Sequence, residues 1–304
     1  MTPTFTMETK RAMASWARVI ESYTAVPEPF KNACRSLLAD RSPFPYTLFA
    51  PAIGGLQSKG HEKVLCIVDD VFYIWERVGS QIVAATYPLP GISVTEVGRV
   101  LLYSWLTVSG VTVDGLTAST TVEFNTVSFP SVEPFVARLR PAAEAAAEAA
   151  WQAVRARFDY LEAVNYKFMN YARESLVRGE QVIHTVWQPK IRQPLITLGR
   201  WSLYRTRSLA HLAILTDKEV VFIGDDPRLT ETRGDQHGGI WQHIPLHHIA
   251  AVSLTERVDG MLALSLTLTP GDHQLHKLFT AVNKPAVMQF QEDLEQLRRR
   301  MPPV

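Results

Sequence analysis

Residues His211 to Leu268 read HLAILTDKEVVFIGDDPRLTETRGDQHGGIWQHIPLHHIAAVSLTERVDGMLALSLTL, and this stretch decides the fold. Two short runs, His211–Leu215 and Val220–Ile223, flank Asp217 and Lys218, which predicts two strands joined by a hairpin turn. After a Gly-rich loop, three further runs predict strands at Ile240–Leu246, Ile249–Leu254 and Leu262–Leu268. In the last run Leu occupies alternate positions, as a sheet with one buried face requires. The stretch therefore predicts a meander of antiparallel strands.

The same pattern of short strands extends through most of the chain. Short apolar runs separated by Gly, Pro, Asp or Ser predict strands at Tyr46–Ile53, Lys63–Val68, Val71–Val78, Gln81–Tyr87, Ile92–Val97, Leu101–Val108, Thr120–Val127 and Gln181–Trp187. Apolar residues at helical spacing predict helices at Met7–Tyr23, Pro29–Leu38, Ser131–Arg140 and Pro285–Arg300. Short strands at this spacing are typical of β-sandwiches and barrels, so we expect a mainly β protein with helices.

An internal repeat supports two copies of one domain. Leu65–Ile74 reads LCIVDDVFYI and Ala213–Ile223 reads AILTDKEVVFI, each an apolar strand, an acidic turn and a second apolar strand. Downstream, the pair Pro88-Leu89 precedes Ile92 as Pro245-Leu246 precedes Ile249. Each copy then continues to a Phe, an Asn and an amphipathic helix, the residues being Phe124 and Asn125 in the first copy and Phe279 and Asn283 in the second.

A long helix is expected between the two copies. Pro141 suits a first helical turn, and the Ala-rich run that follows predicts a helix from Ala142 to Leu176. Its apolar residues form a coiled-coil-like stripe, interrupted at Asn165, that includes Trp151, Val154, Phe158, Leu161, Phe168 and Ala172. This stripe either packs on the flanking parts of the chain or forms a homo-oligomer interface. The predicted organisation is an N-terminal helical segment at 1–42, a first domain at 43–140, the linking helix at 141–178 and a second domain at 179–304.

Composition limits the function classes. The chain has 31 Lys and Arg against 30 Asp and Glu, so no overall charge favours nucleic acid as a partner. Two cysteines, Cys34 and Cys66, are too few for a disulfide framework, which favours a reducing compartment. No apolar run approaches the ~20 residues that span a bilayer. We therefore expect a cytoplasmic protein that can also lie peripherally at the inner face of the membrane.

The strand and turn motifs resemble those of the bacterial pleckstrin-homology-like domains. The resemblance rests on the acidic turn, the Val-Phe-Ile strand and the Ile-Pro-Leu motif of Ile244–Leu246, and it covers roughly Tyr46–Arg140 and Gly179–Arg300. It implies about seven antiparallel strands in two packed sheets and one C-terminal helix that closes an open corner in each domain. The motifs belong to a fold and bring no catalytic residues with them.

The resemblance also directs attention to the first two strands of the second domain, where pleckstrin-homology domains that bind phosphoinositides carry basic residues. Gln181–Thr216 contains no Asp or Glu. The candidate anion or lipid site consists of Lys190, Arg192, Arg200, Arg205 and Arg207, with Trp201 and Tyr204 as interfacial anchors. On a strand, Arg205 and Arg207 would share one face. The alternative is a solvated basic loop without a ligand. The corresponding loop of the first domain, Ala52–Lys63, offers fewer cations.

No catalytic motif is present. The sequence contains no Gly-x-Ser-x-Gly, no phosphate-binding loop and no His-Glu-x-x-His motif, and the acidic pairs such as Asp69 and Asp70 suit turns. The histidines of the second half show no recognised metal-ligand spacing, so no metal and no other cofactor is expected. The sequence predicts a non-enzymatic binding or scaffolding protein that contacts another protein. Binding to an anionic membrane or another anionic ligand is the alternative.

Overall fold

The chain divides into two compact units, with the boundary between Leu139 and Arg140. A computed structural model describes residues 16–55, 58–141, 143–144, 146–198, 201–227, 238–270 and 273–300, with the backbone alone at 54–55, 58–59, 195–198 and 201–203. Antiparallel strands dominate both units, and helices pack on them. The mainly β architecture with helices is therefore confirmed.

The first unit contains ten described strands. They are β1 (Arg18–Ile20), β2 (Thr47–Ala50), β3 (Gly54–Gly55), β4 (Ser58–Lys59), β5 (Lys63–Val68), β6 (Val71–Val78), β7 (Gln81–Pro88), β8 (Ile92–Val100), β9 (Tyr103–Val111) and β10 (Thr117–Asn125). Strands β1, β2, β5, β6 and β7 pair in that order, β8 pairs with β9 and β9 with β10, and the short β3 and β4 pair with each other.

Two helices of the first unit pack on these strands. Helix α1 (Glu28–Leu38) buries Phe30, Cys34 and Leu38 in a core that also contains residues of β2, β5 and β6. Helix α2 (Phe129–Leu139) follows the last strand, and its Phe135 ring lies 5.6 Å from the ring of Phe72. Both helices were predicted to within a few residues, because each has a clear apolar stripe.

The second unit contains nine described strands. They are β11 (Val182–Gln188), β12 (Ile191–Leu198), β13 (Trp201–Ser208), β14 (His211–Thr216), β15 (Glu219–Gly224), β16 (Gly239–Pro245), β17 (Ile249–Glu256), β18 (Leu262–Leu268) and β19 (His273–Phe279). Strands β11, β14, β15 and β16 pair in that order, as do β17, β18 and β19, while β12 and β13 form a two-stranded sheet.

Three helices belong to the second unit: α3 (Glu148–Ala156), α4 (Glu162–Ser175) and α5 (Lys284–Arg300). Helix α5 is the C-terminal helix, and it buries Val287, Phe290 and Leu294 completely. Helix α4 packs on β14 and β15, so these two strands are covered on both faces and Leu212–Leu215 are fully buried. This explains why β14 and β15 read as continuous apolar runs rather than alternating ones.

The two units follow the same order of elements, each considered by itself. Among the described elements, each unit has a short 3₁₀ helix and an α-helix before four paired strands, another 3₁₀ helix before three more strands, and a further 3₁₀ helix that opens the last α-helix. The first unit adds β1 before this series and the second adds α3, and each inserts a separate strand pair, β3–β4 or β12–β13. The matched Pro-Leu motifs lie at Leu89–Gly91 and Leu246–His248, the middle 3₁₀ helix of each unit. The repeat seen in the sequence is therefore a repeat of structure.

The prediction of one long helix from Ala142 to Leu176 is wrong. Helix α3 begins only at Glu148, a 3₁₀ turn at Asp159–Leu161 separates α3 from α4, and Asn165 has non-helical backbone angles. The Oδ1 atom of Asn165 accepts a hydrogen bond from the backbone N–H of Phe168, as a helix cap does. The residues predicted as a link, 141–178, fall inside the second unit.

The stripe proposed as a homo-oligomer seam is occupied within the chain. Phe158, Leu161 and Phe168 are completely buried, and Trp151 is partly buried. The ring of Phe168 lies 4.5 Å from the ring of Trp187 on β11. These contacts favour the first of the two alternatives, packing on a flanking part of the chain.

Two other predicted elements differ from the structure. The helix expected at Met7–Tyr23 lies partly outside the described residues, and its described part contains β1, which pairs with Thr47–Phe49. There the β-branched residues Val19 and Ile20 join a sheet edge, and this pairing overrides the helical spacing. The strand expected from Leu101 begins at Tyr103, because Leu101 and Leu102 form the two-residue turn between β8 and β9.

Candidate functional site

A two-stranded ribbon extends from the sheet of the second unit, and we call it the arm (Ile191–Ser208). Its strands β12 and β13 pair with each other and, in the described part of the chain, with no other strand. Strand β11 leads into β12 through Pro189 and Lys190, and β13 leads into β14, so the arm continues the β11–β14 hairpin. Eight residues per strand make it roughly 26 Å long at about 3.3 Å per residue.

The arm places two predicted arginines on one face. Gln193 is opposite Arg205 in the strand register, and Nε of Arg207 donates a hydrogen bond to Oε1 of Gln193 at 2.5 Å. Arg205 and Arg207 therefore lie on the same face, as the strand spacing predicts. Arg192 is opposite Thr206 and so belongs to the other face. The basic residues do not form one flat cluster.

The arm carries positive charge that no described carboxylate neutralises. Arg192, Arg205 and Arg207 are exposed, and none of them forms an ion pair with a carboxylate among the described residues. In the first unit, by contrast, Arg41 pairs with Asp69 at 2.6 Å and Arg77 with Glu62 at 3.0 Å. An unpaired guanidinium offers a planar fork of donors that fits carboxylate or phosphate oxygens.

The other predicted site residues lie on or beside the arm. Lys190 is partly buried immediately before β12, and Tyr204 is 57% exposed on β13 next to Arg205. The backbone of Trp201 begins β13 opposite Leu198, but its side chain lies outside the description. Arg200 lies outside the described residues. The first unit has only the two-residue strands β3 and β4 at the corresponding place, so the long arm distinguishes the second unit.

A buried glutamine fixes the root of the arm (Gln188–Lys190). Gln188 is 1% exposed, and its Oε1 accepts hydrogen bonds from the backbone N–H of Thr280 at 2.8 Å and from Nδ2 of Asn283 at 2.9 Å. Asn283 also donates to the carbonyl of Trp187 at 2.9 Å. The root is thereby tied to the start of α5. Asn283 had been noticed only as part of the repeat, and nothing in the sequence indicated Gln188.

Four polar side chains form a second cluster, which is buried inside the second unit. Arg140 donates to Glu219 through Nε at 3.1 Å and through Nη2, and it also donates to the carbonyl of Ser175 at 2.7 Å. Nδ1 of His243 lies 3.1 Å from Glu219. Glu180 lies 3.7 Å from Arg140, and its Oε1 has no hydrogen-bond partner. We call these four residues the Arg140 cluster.

The two carboxylates of the Arg140 cluster have opposite pKa shifts. Burial and the charge of Glu219 raise the pKa of Glu180 to about 8. Burial also opposes ionisation of Glu219, but the charge of Arg140 and the contact with His243 outweigh it and lower the pKa of Glu219. Divergent carboxylates occur in acid–base catalysis, yet both side chains are 0% exposed. Because water and substrate do not reach them, we assign the cluster a structural role.

Two buried histidines have lowered pKa values. Burial lowers the pKa of His211 and of His248 to about 4. Nδ1 of His211 lies 3.0 Å from the carbonyl of Leu209, and Nδ1 of His248 lies 2.7 Å from that of Thr269. Among the described residues, no three His, Cys, Asp or Glu side chains are grouped so that they could hold a metal ion.

Comparison with known proteins leaves the site to be interpreted from its own geometry. No protein-family model matches the chain, and no curated protein matches it significantly. Within the described ranges, no helix combines the length and apolar character that a bilayer crossing requires.

Proposed function

We propose that this protein is a non-enzymatic binding protein built from two pleckstrin-homology-like units, and that its arm binds an acidic surface on another protein. The repeated element order, with seven principal strands and a C-terminal helix in each unit, supports the fold assignment. The observation that carries the binding proposal is a set of exposed arginines on a ribbon that leaves the sheet, none of which pairs with a described carboxylate.

Physical chemistry supports a partner for the arm in two ways. An isolated two-stranded hairpin is at best marginally stable in water, so contact with a partner would stabilise this ribbon. Its arginines repel one another, and acidic groups would relieve that repulsion. Because Arg192 lies on one face and Arg205 on the other, an acidic surface that contacts both faces satisfies more of the guanidinium groups than a flat one.

An anionic membrane is the second candidate, with the protein at the inner face of the membrane. The exposed Tyr204 beside Arg205 favours it, because an amphipathic ring suits the headgroup region of a bilayer while a guanidinium binds phosphate. In that case the apolar part of the arm would contact lipid and the charged part the headgroups. Both candidates place an acidic ligand on the arm and differ in its source.

Two probes separate the candidates: poly-L-glutamate, followed by fluorescence anisotropy, and vesicles of phosphatidylserine and phosphatidylcholine, followed by co-sedimentation. We expect binding of poly-L-glutamate to weaken at least tenfold in the double variant Arg205→Glu/Arg207→Glu. Binding should also weaken as salt rises from about 0.05 M to about 0.15 M, where charges are screened over about 8 Å.

The matched control is Arg35→Glu/Arg299→Glu, which changes the net charge equally at two exposed positions outside the arm. It should bind nearly as the unchanged protein does. If the protein binds the vesicles but not poly-L-glutamate, the ligand of the arm is an anionic membrane and the proposal of an acidic protein partner is wrong. If neither probe binds at low salt, or if the control loses binding as much as the arm variant, the arm is not an anion-binding site.

A further inference from the structure

The exposed side of α5 forms an open groove next to the arm root. The groove has a volume of about 550 Å³ and is lined by Ala281, Lys284, Pro285, Met288, Gln289 and Glu292. Ala281, Pro285, Met288 and Glu292 follow one another at intervals of four, three and four, so they lie along one face of the helix. The opposite face, with Val287 and Phe290, is buried in the core.

Apolar side chains are unusually exposed around this groove. Met288 is 44% exposed, and Val282, in the 3₁₀ turn that opens α5, is 89% exposed. Nζ of Lys284 pairs with Glu256 at 2.7 Å, which brings the end of β17 to the groove. Val258, fully exposed, follows two residues later in the turn after β17. Single exposed apolar residues are normal, but several beside one groove are typical of an interaction site.

The groove and the arm are continuous. Thr280 and Asn283, which hold Gln188, directly precede the groove residues Ala281 and Lys284 in the chain. Lys190, the first cation of the arm, follows Gln188 by two residues and therefore begins the arm near this end of the groove. Glu292 lies at the other end, about 16 Å from Ala281 at 1.5 Å per helical residue. The surface thus runs from cationic to apolar to anionic.

We propose that the groove of α5 and the arm root together bind an amphipathic helix of another protein, with acidic residues at the end nearest the arm. Three turns of such a helix match the length of the groove, and its apolar face would cover Pro285, Met288 and Val282. Its acidic residues would pair with the arm arginines that have no carboxylate partner among the described residues. This inference rests on the proposed function of the arm and names the chemistry of its partner.

The test uses a fluorescein-labelled peptide of about 18 residues with leucines at helical intervals of three and four and glutamates in its first half. Two control peptides carry lysines in place of the glutamates or serines in place of the leucines. We expect only the acidic amphipathic peptide to bind the full chain, and we expect it to shift the ¹³C-methyl NMR signal of Met288.

Two substitutions locate the peptide. Met288→Glu should weaken binding at least tenfold, because it puts a carboxylate in the apolar part of the groove. Val164→Glu, at a valine that is 58% exposed on α4, is the matched control and should leave binding unchanged. Arg205→Glu/Arg207→Glu should weaken binding and reduce its dependence on salt.

The results separate this inference from the proposed function of the arm. If the acidic amphipathic peptide fails to bind while poly-L-glutamate still binds, the proposal for the arm stands and the proposal for the groove is wrong. An unchanged Met288 signal on peptide binding, or equal binding of the lysine peptide, would also overturn the inference. Failure of both acidic probes would contradict the two proposals together.

Discussion

Glu180 is the residue whose ionisation couples folding of the second unit to pH. Its raised pKa means that the folded chain still holds a proton between about pH 4.5 and pH 8, where the unfolded chain has released it. Stability therefore falls as pH rises through this window, since the folded state binds more protons than the unfolded state. The pKa of Glu180 is raised because its carboxylate is buried beside an arginine, Arg140, that Glu219 already neutralises. The charge of Asp217 raises the pKa of Glu180 further.

We expect Glu180→Gln to remove this pH dependence. Glutamine keeps the shape of the side chain and the acceptor for the N–H of Val177, but it has no proton to lose. The variant should exceed the unchanged protein in unfolding free energy by on the order of 2–4 kcal/mol at pH 9, and the difference should shrink toward pH 5. Urea unfolding followed by tryptophan fluorescence at several pH values measures it. Parallel stability profiles for the two proteins would contradict the prediction.

Glu219→Gln provides the opposite case. The pKa of Glu219 is lower in the folded chain than in the unfolded chain, so its ionisation stabilises the folded state at any pH above the unfolded-state pKa. This stabilisation is lost as pH falls through the folded-state pKa of Glu219. The substitution leaves Arg140 buried without its partner, so we expect a loss of about 3–5 kcal/mol at neutral pH. If Glu180→Gln and Glu219→Gln changed stability equally at pH 7, the two carboxylates would not be divided into a neutral and an ionised member.

Gly98 is required by the tryptophan that covers it. It lies opposite Trp105 in the β8–β9 register, and a Cβ atom at this position would lie 2.0 Å from the indole ring. The ring is held in place by a 2.9 Å hydrogen bond from Nε1 to Glu96. We expect Gly98→Ala to displace the indole and to cost about 1–3 kcal/mol in unfolding free energy. Near-ultraviolet circular dichroism measures the displacement, with Gly224→Ala as the control, because a Cβ atom at Gly224 would meet its nearest neighbours at 3.8 Å.

The arm is the element that distinguishes the two units. Replacing residues 190–209 with Asn-Gly would shorten it to the scale of β3 and β4, since this dipeptide favours the tight turn of a hairpin. We expect poly-L-glutamate binding to be lost while the melting temperature changes by no more than about 2–4 °C, the effect of roughly 1 kcal/mol in a domain of this size. Differential scanning calorimetry measures the second quantity. A collapse of the folded state on shortening would assign the arm a structural role.

The elements that were predicted well have sequence patterns that tertiary contacts reinforce. Strand β18 was predicted to the residue, because its leucines alternate and every second side chain is buried. Strand β19 was not predicted, since its polar residues His273, Gln274 and His276 suit an exposed edge and leave no apolar alternation. Strand β12 was missed because Pro194 is unusual inside a strand, although an isolated ribbon tolerates it.

The candidate site was predictable only in part. The acid-free interval around Arg205 and Arg207 is visible in the sequence, and strand spacing places their side chains on one face. The hydrogen bonds that hold Gln188 join residues more than ninety positions apart, and Arg140 is 79 positions from Glu219. No local pattern indicates such pairs, because the fold alone brings them together. The interruption of the stripe at Asn165 was visible in the sequence, but the 3₁₀ turn at Asp159–Leu161 that separates α3 from α4 was not.

At the scale of the whole molecule, a nearly neutral chain places several arginines without a described carboxylate partner in one element. Lys and Arg exceed Asp and Glu by one over 304 residues, yet the interval that contains the arm has no acid. Charge of this kind does not help the unit to fold, since neighbouring guanidinium groups repel one another. The two units differ most at the arm, which only the second unit extends to this length. We therefore propose that the arm serves binding, and that the strands and helices common to both units serve stability.

Hydrogen exchange of the whole chain should therefore show two protected cores and one unprotected ribbon. The backbone amides of β5 and β6 in the first unit, and of β14 and β15 in the second, lie in paired strands with buried side chains, so we expect their exchange to be slowest. The amides of β12 and β13 should exchange much faster than those of β14 and β15, because the ribbon has no third strand in the described part of the chain and its described side chains are largely exposed. Mass spectrometry of peptic fragments measures both.

Adding poly-L-glutamate should slow exchange in the arm and leave β5 and β6 unchanged. An arm protected as strongly as β14 without any ligand would mean that the chain itself already covers it, and its arginines would then not await an acidic partner.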